Sequence, residues 1–213
     1  MSTGTTFKIV NRTKAQLRAM VSPQSVGGGN LQAIPYVLFD SQLLTSGTTQ
    51  QMNFFQSVQA DKTLGNMWSG GMLPVDTWLE IEWMWVYPQI RPDSVTTGMV
   101  GAWGDYDVAM IEERPTHTLT IQDKEYGQIP ASFFGQEGGQ GGFGYNEAAA
   151  GVVHQDYVTH GQGRGFWVGG QIIIPPQAGF LAQIRFAGIV TTASARDFRI
   201  TVGYQGTLHR PIL

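Results

Sequence analysis

The chain contains no cysteine, which excludes disulfides, thiolate metal sites and a cysteine nucleophile. Charge is scarce as well: Asp, Glu, Lys and Arg make up 14 % of the residues, well below the usual quarter or so. Acid is missing altogether before Asp40, where Lys8, Arg12, Lys14 and Arg18 are the charged residues, so this stretch carries +4 and the rest of the chain carries −7 of the net −3. No apolar run approaches the length of a membrane span, and the start, MSTGTTFKIVNRTK, lacks the apolar core of a signal peptide. Synthesis in the cytoplasm is the expectation. Apolar residues at a period of 3.6 are almost nowhere to be found, so helix should be scarce. A chain without crosslinks must hold by packing alone, and a surface so poor in charge is expected to be buried in part by other subunits.

What is present is strand. Hydrophobic residues are 42 % and aromatics 11 %, ample for a core, and 28 glycines and 10 prolines punctuate short apolar runs. The most regular run, TWLEIEWMWVY from Thr77 to Tyr87, alternates strictly between flanking prolines. Side chains alternate across a pleat, so Leu79, Ile81, Trp83, Trp85 and Tyr87 share an apolar face, expected to be core. Trp78, Glu80, Glu82, Met84 and Val86 take the mixed face. Further candidate strands are Thr6–Asn11, Tyr36–Phe39, Met52–Val58, Tyr106–Ile111, His117–Gln122, Phe166–Ile174, Gly179–Val190 and Phe198–Tyr204. With Leu79–Tyr87 that is one more than the eight strands of a jelly roll.

The expected fold is all-β: a single jelly-roll β-sandwich with a long glycine-rich loop insertion and an N-terminal basic arm. Residues 1–34 form the arm or a first strand, and residues 35–213 form the jelly-roll domain with a loop excursion at 135–170. That excursion is glycine-rich, aromatic and poorly periodic, with one helical turn expected at Asn146–Gly151. Loops of this length in compact domains are usually functional or mobile.

Few residues point to chemistry. Gly139, Gly141 and Gly144 have the spacing of a dinucleotide fingerprint but lack the strand before and the helix after that give it meaning. His154, Asp156 and His160 offer imidazole and carboxylate for a transition metal, but a cupin-type pattern of paired histidines on a strand is missing. Asp105 and Asp107, with Glu112 and Glu113 nearby, lack the glycine turn and terminal bidentate acid of a calcium loop. Glu80 and Glu82 share a strand face, the wrong placement for an acid pair opposed across a sugar. No serine sits in a nucleophile elbow. The expectation is a protein with no catalytic residue, metal or cofactor.

Six tryptophans invite a different reading. Trp83 and Trp85 are assigned to the core, whereas Trp103 and Trp167 lie beside glycines and are candidate anchors for a neighbouring subunit or a sugar. The terminal HRPIL is a candidate arm reaching an adjacent subunit through His209, Arg210 and Leu213. The basic residues Lys8, Arg12, Lys14 and Arg18 suit an anionic surface, membrane or genome, at about 1 kcal/mol each.

The order of features carries a resemblance. Leu44, Thr45, Ser46 and Gly47 precede a strand with Asn53, Phe54 and Phe55; then come Asn66, Gly70, Gly71, Leu73, Pro74 and the long strand. Later, Ile172, Ile173, Ile174, Pro175, Pro176, Gln177 and Phe180 lead into Ala182, Ile184 and Phe186. From Leu44 to Val190 this resembles the jelly-roll major capsid proteins of tailless icosahedral bacteriophages, especially those with an internal membrane. The resemblance implies a structural virion protein, not an enzyme. It further implies homo-oligomeric, commonly trimeric, capsomers, other capsid proteins as partners, and an N-terminal arm turned toward lipid or genome. At 213 residues the chain departs from the family in length, since two jelly rolls would be cramped, and a minor capsid or vertex role is an alternative. Two other classes remain open: a carbohydrate-binding β-sandwich with Trp103 and Trp167 flanking one groove, and a metal-dependent jelly-roll enzyme using His154, Asp156 and His160.

Overall fold

The computed structural model describes residues 31–90, 115–134, 165–192 and 197–211. Eight strands are found there: β1 Leu31–Leu44, β2 Gln51–Phe54, β3 Trp78–Ile90, β4 Thr116–Ile121, β5 Lys124–Pro130, β6 Phe166–Ile174, β7 Phe180–Arg185 and β8 Phe198–Pro211. A four-residue 3-10 helix, Ala131–Phe134, follows β5. The protein is all-β, with two antiparallel four-stranded sheets in the orders β1-β8-β3-β6 and β2-β7-β4-β5. The expected strands Thr6–Asn11 and Tyr106–Ile111 and the turn Asn146–Gly151 lie outside the described residues.

The core lies between the sheets, because alternate residues of each strand face inward and are apolar. β8 contributes Phe198, Ile200, Val202, Tyr204 and Leu208; β3 contributes Leu79, Ile81 and Met84; and β1 contributes Leu38 and Leu44. The facing sheet adds Met52, Phe54, Phe180, Ala182, Ile184, Leu119 and Ile121. Each Val, Leu, Ile, Phe or Met among them contributes about 1.5–3 kcal/mol when fully removed from water.

The expected alternation of β3 fails at one point. The register runs Ile81↔Gly206 and then Trp83↔Gln205, leaving Glu82 without a partner on β8, a β-bulge. A one-residue slip moves everything beyond it to the other face. Met84 therefore enters the core with no exposure, while Trp83, Trp85 and Tyr87 turn outward and are half-buried. This corrects the assignment of Trp83, Trp85 and Tyr87 to the core. On the β6 side the irregularity is wider: Ile81 pairs with Ile172 and Trp83 with Trp167, so residues 168–171 stand opposite Glu82 alone. Gly206 sits at the bulge, where a Cβ would collide with the Glu80 carbonyl.

The β1 edge is partly closed by the chain itself. Asn66 imitates a strand beside β1, its Oδ1 accepting from the Phe39 N–H at 2.9 Å and its Nδ2 donating to the Val37 carbonyl at 2.6 Å. The Ser41 N–H adds a bond to the Leu64 carbonyl at 2.7 Å. Buried Asp40 anchors the same connection, accepting from the Phe55 N–H at 2.7 Å, Gln42 Nε2 at 3.0 Å and Gln59 Nε2 at 2.9 Å. These bonds hold Phe55 at φ 67°, which ends β2 and seats its ring in the core against Phe180 and Tyr204. The 55–77 connection thus covers part of an edge that would otherwise invite pairing with another chain.

Two boundaries differ from expectation. β1 begins at Leu31, so residues 31–34 belong to the sheet, where they pair with residues 208–211. His209, Arg210 and Pro211 are the last residues of β8, each paired with β1, and not part of a free arm. His209 has a neighbour on either side, since Trp78 of β3 pairs with it opposite β1, while Arg210 and Pro211 are held by β1 alone.

Candidate interaction surface

The outer face of the β1-β8-β3-β6 sheet is built in rows across the strands. One row is Val37, Gln205, Trp83 and Trp167; the next is Phe39, Gly203 and Trp85; then Ser41, Thr201 and Tyr87; and Leu43 stands beside Arg199. Of these residues Arg199 alone is charged. Trp167 is 62 % exposed, and its ring centroid lies 6.4 Å from that of Trp83 at an angle of 50°. Trp85 lies flat across Gly203, in the space that a Cβ would occupy. Val37 and Leu43 add exposed aliphatic surface, and Ser41 Oγ and Thr201 Oγ1 satisfy each other at 2.8 Å. The result is an aromatic and aliphatic strip on a twisted sheet. Surfaces of this composition bind through large, rigid side chains that lose little conformational freedom.

Nearer the start of β3 the same outer face is buried. Trp78 stacks on His209 with centroids 4.8 Å apart and planes 7° from parallel, and His209 Nε2 lies 3.3 Å from Glu80 Oε1. All three side chains are buried. His209 is therefore interior and does not offer the subunit contact expected of it. Arg210 is exposed, its guanidinium donating to Gln32 Oε1 at 3.4 and 3.5 Å.

No family model, curated protein or solved structure matches this chain. The outer face of the other sheet differs from the aromatic strip. There the rows read Gln51, Arg185, Thr116; Asn53, Gln183, Thr118, Gln128; and Leu181, Thr120, Glu125. Asn53 Oδ1 accepts from Gln51 Nε2 at 2.9 Å and from Gln183 Nε2 at 3.0 Å. Amides bonded to one another beside threonine hydroxyls suit water, and no aromatic ring stands in these rows.

Of the candidate contact residues and basic arm, Trp167, His209 and Arg210 are described. Lys8, Arg12, Lys14, Arg18, Trp103 and Leu213 lie outside the described residues, as do His154, Asp156, His160, Asp105, Asp107, Glu112 and Glu113. Glu80 and Glu82 are not matched on a face as expected: Glu80 pairs with Thr207, and Glu82 is the bulged residue. Among the described residues no group of three or more His, Asp or Glu is placed to hold a metal ion, and no helix is long and apolar enough to cross a membrane. Sequence reasoning found Trp167 but missed Trp83, Trp85 and Tyr87 as surface. The available signal was the pair Gly169 and Gly170 in β6, both with positive φ, which marks an irregular strand partner.

Proposed function

We propose that this chain is a structural capsid protein, a single jelly-roll subunit that forms the icosahedral shell of a tailless bacteriophage through homo-oligomeric capsomers. The observation that carries the reading is the pairing of strands: β1 with β8, β2 with β7, β3 with β6 and β4 with β5, all antiparallel. A long antiparallel hairpin wrapped around a barrel produces that pairing, and it is how a jelly roll is built. Fold alone does not give function. The further support is the surface: 14 % charged residues in the chain, an aromatic strip with Arg199 as its one charge on one outer face and a polar layer on the other. A subunit with one face toward neighbours and one toward water is built in this way.

In this reading the aromatic strip meets a second copy of the chain within a trimeric capsomer, other capsid proteins complete the shell, and the basic arm with Lys8, Arg12, Lys14 and Arg18 faces lipid or genome inside the virion. The chemistry needs no cofactor. Light scattering of the purified protein, followed by negative-stain imaging, tests it: a discrete trimer or shell-like particles are expected, and a strict monomer at every concentration would count against it.

The exposed Trp167 beside Trp83 favours one second reading, a carbohydrate-binding β-sandwich, because indole faces stack on sugar rings. Glycan binding by a monomeric protein, lost in Trp167→Ala, would put that reading first.

A further inference from the structure

Among the described residues one side-chain hydrogen bond passes between strands of the two sheets. His117 of β4 and Tyr204 of β8 meet with Nε2 and the phenol oxygen 3.0 Å apart, their rings crossed at 79°. Both side chains have no exposure. Phe134 of the 3-10 helix closes over the imidazole edge-on at 5.0 Å, and Ile184 of β7 and Ile129 of β5 flank it in the sheet. Tyr204 is the titratable group facing it, and among the described residues no carboxylate or cation acts on it electrostatically. Nδ1 is buried without a hydrogen-bond partner.

We infer that the His117–Tyr204 contact is an acid-released latch: a proton on His117 converts the neutral bond that ties β4 to β8 into a buried charge without a counter-ion, and the sheets part as the medium acidifies. A neutral imidazole has one N–H, and the contact with Tyr204 satisfies Nε2 in either tautomer. The protonated ring has two, and on the Nδ1 side only the residue's own backbone exerts a small pull, short of a full hydrogen bond. An ion left unpaired in an apolar core costs far more than an unmade neutral bond.

The direction of the pH effect follows. Burial pushes the His117 pKa down from 6.5 to about 3, against a smaller opposing pull from its own backbone, and burial also raises Tyr204 well above its ordinary value. The unfolded chain therefore takes up this proton before the folded one. The stability contributed by neutral His117 is complete above about pH 6.5 and is lost progressively as the pH falls toward 3, weakening folding by up to on the order of a thousandfold. The latch depends only on the two sheets, so it stands or falls separately from the capsid reading.

The test uses the full chain. Urea unfolding is measured at pH 7 and pH 4.5 for the wild type and for His117→Gln, which keeps a hydrogen-bonding side chain but cannot titrate. The wild type is expected to lose about a hundredfold more in its folding equilibrium between the two pH values than the variant does. Equal losses would overturn the latch. The ring is also followed directly by nitrogen NMR of the folded wild type, which decides the matter if the variant does not fold. An imidazole neutral to below pH 4 supports the latch, and a folded-state midpoint near the ordinary histidine value would refute it.

Discussion

The two outer faces of this sandwich come from sheets of equal size, yet one carries Trp83, Trp85, Tyr87 and Trp167 while the other carries Gln51, Asn53, Gln183, Thr118 and Gln128. The difference begins in the strands. β4 and β7 are apolar at alternate positions, with Leu119, Ile121, Ala182 and Ile184 inward and Thr118, Thr120 and Gln183 outward, so hydrophobicity alone fixes which side is buried. β3 is apolar on both sides beyond Glu82, and there hydrophobicity does not choose. The bulge chooses instead, sending Met84 in and the tryptophans out. Large contiguous apolar patches, unlike scattered apolar residues, mark interaction sites in general, and the proposed function places a second copy of the chain on this face.

The largest expected effect separates these two sides of β3. Met84→Asp places a charge in a fully buried site and is expected to abolish folding, a loss of at least about 4 kcal/mol, whereas Trp85→Asp leaves a folded protein. Circular dichroism melts of both variants read this directly, and the reverse order would restore the simple alternation and remove the aromatic face. Next in size is Gly206→Ala, whose Cβ would meet the Glu80 backbone; a cost of about 2–3 kcal/mol in urea unfolding is expected, and a neutral result would mean that the bulge is not where the register puts it. Gly203→Ala displaces only the Trp85 indole, a side chain that can swing away. About 1 kcal/mol is expected, together with a red-shifted tryptophan emission, and unchanged emission would mean that Trp85 does not lie over Gly203. On the polar face Gln183→Ala removes one bond to Asn53 at a half-buried site, and a change within about 0.5–1 kcal/mol is expected. A loss as large as that of Gly206→Ala would show that the two faces do not differ as described.

Much of this fold was legible in the sequence wherever a strand had one apolar side. β6 has the bounds expected of it, and β4 and the start of β8 lie within a residue of expectation. β5 was missed because an exposed edge strand, KEYGQIP, has no apolar alternation to read. β1 was expected only at Tyr36–Phe39, since Pro35 reads as a break; on an edge strand, a proline is tolerated. β2 stops at Phe54, short of the expected Val58, because Asp40, 15 residues upstream, captures the Phe55 N–H in a turn. The end of β8 was hidden by Gln205 and Thr207, polar residues facing outward from a central strand. Of the aromatic face only Trp167 and its glycine-rich strand were legible. Nothing in TWLEIEWMWVY distinguishes a bulge at Glu82 from strict alternation, because that choice is made by β8 and β6, more than 80 residues away in sequence.

The most direct test of the central claim compares the faces in solution. Light scattering across a range of concentrations is measured for the wild type, for Trp83→Ser with Trp167→Ser, and for Thr118→Ala with Gln183→Ala. A discrete homo-oligomer in the wild type and in the polar-face variant, reduced to monomer in the aromatic-face variant while its circular dichroism stays native, is the predicted result. A folded aromatic-face variant that assembles as the wild type does, or a wild type that is monomeric throughout, would contradict the account.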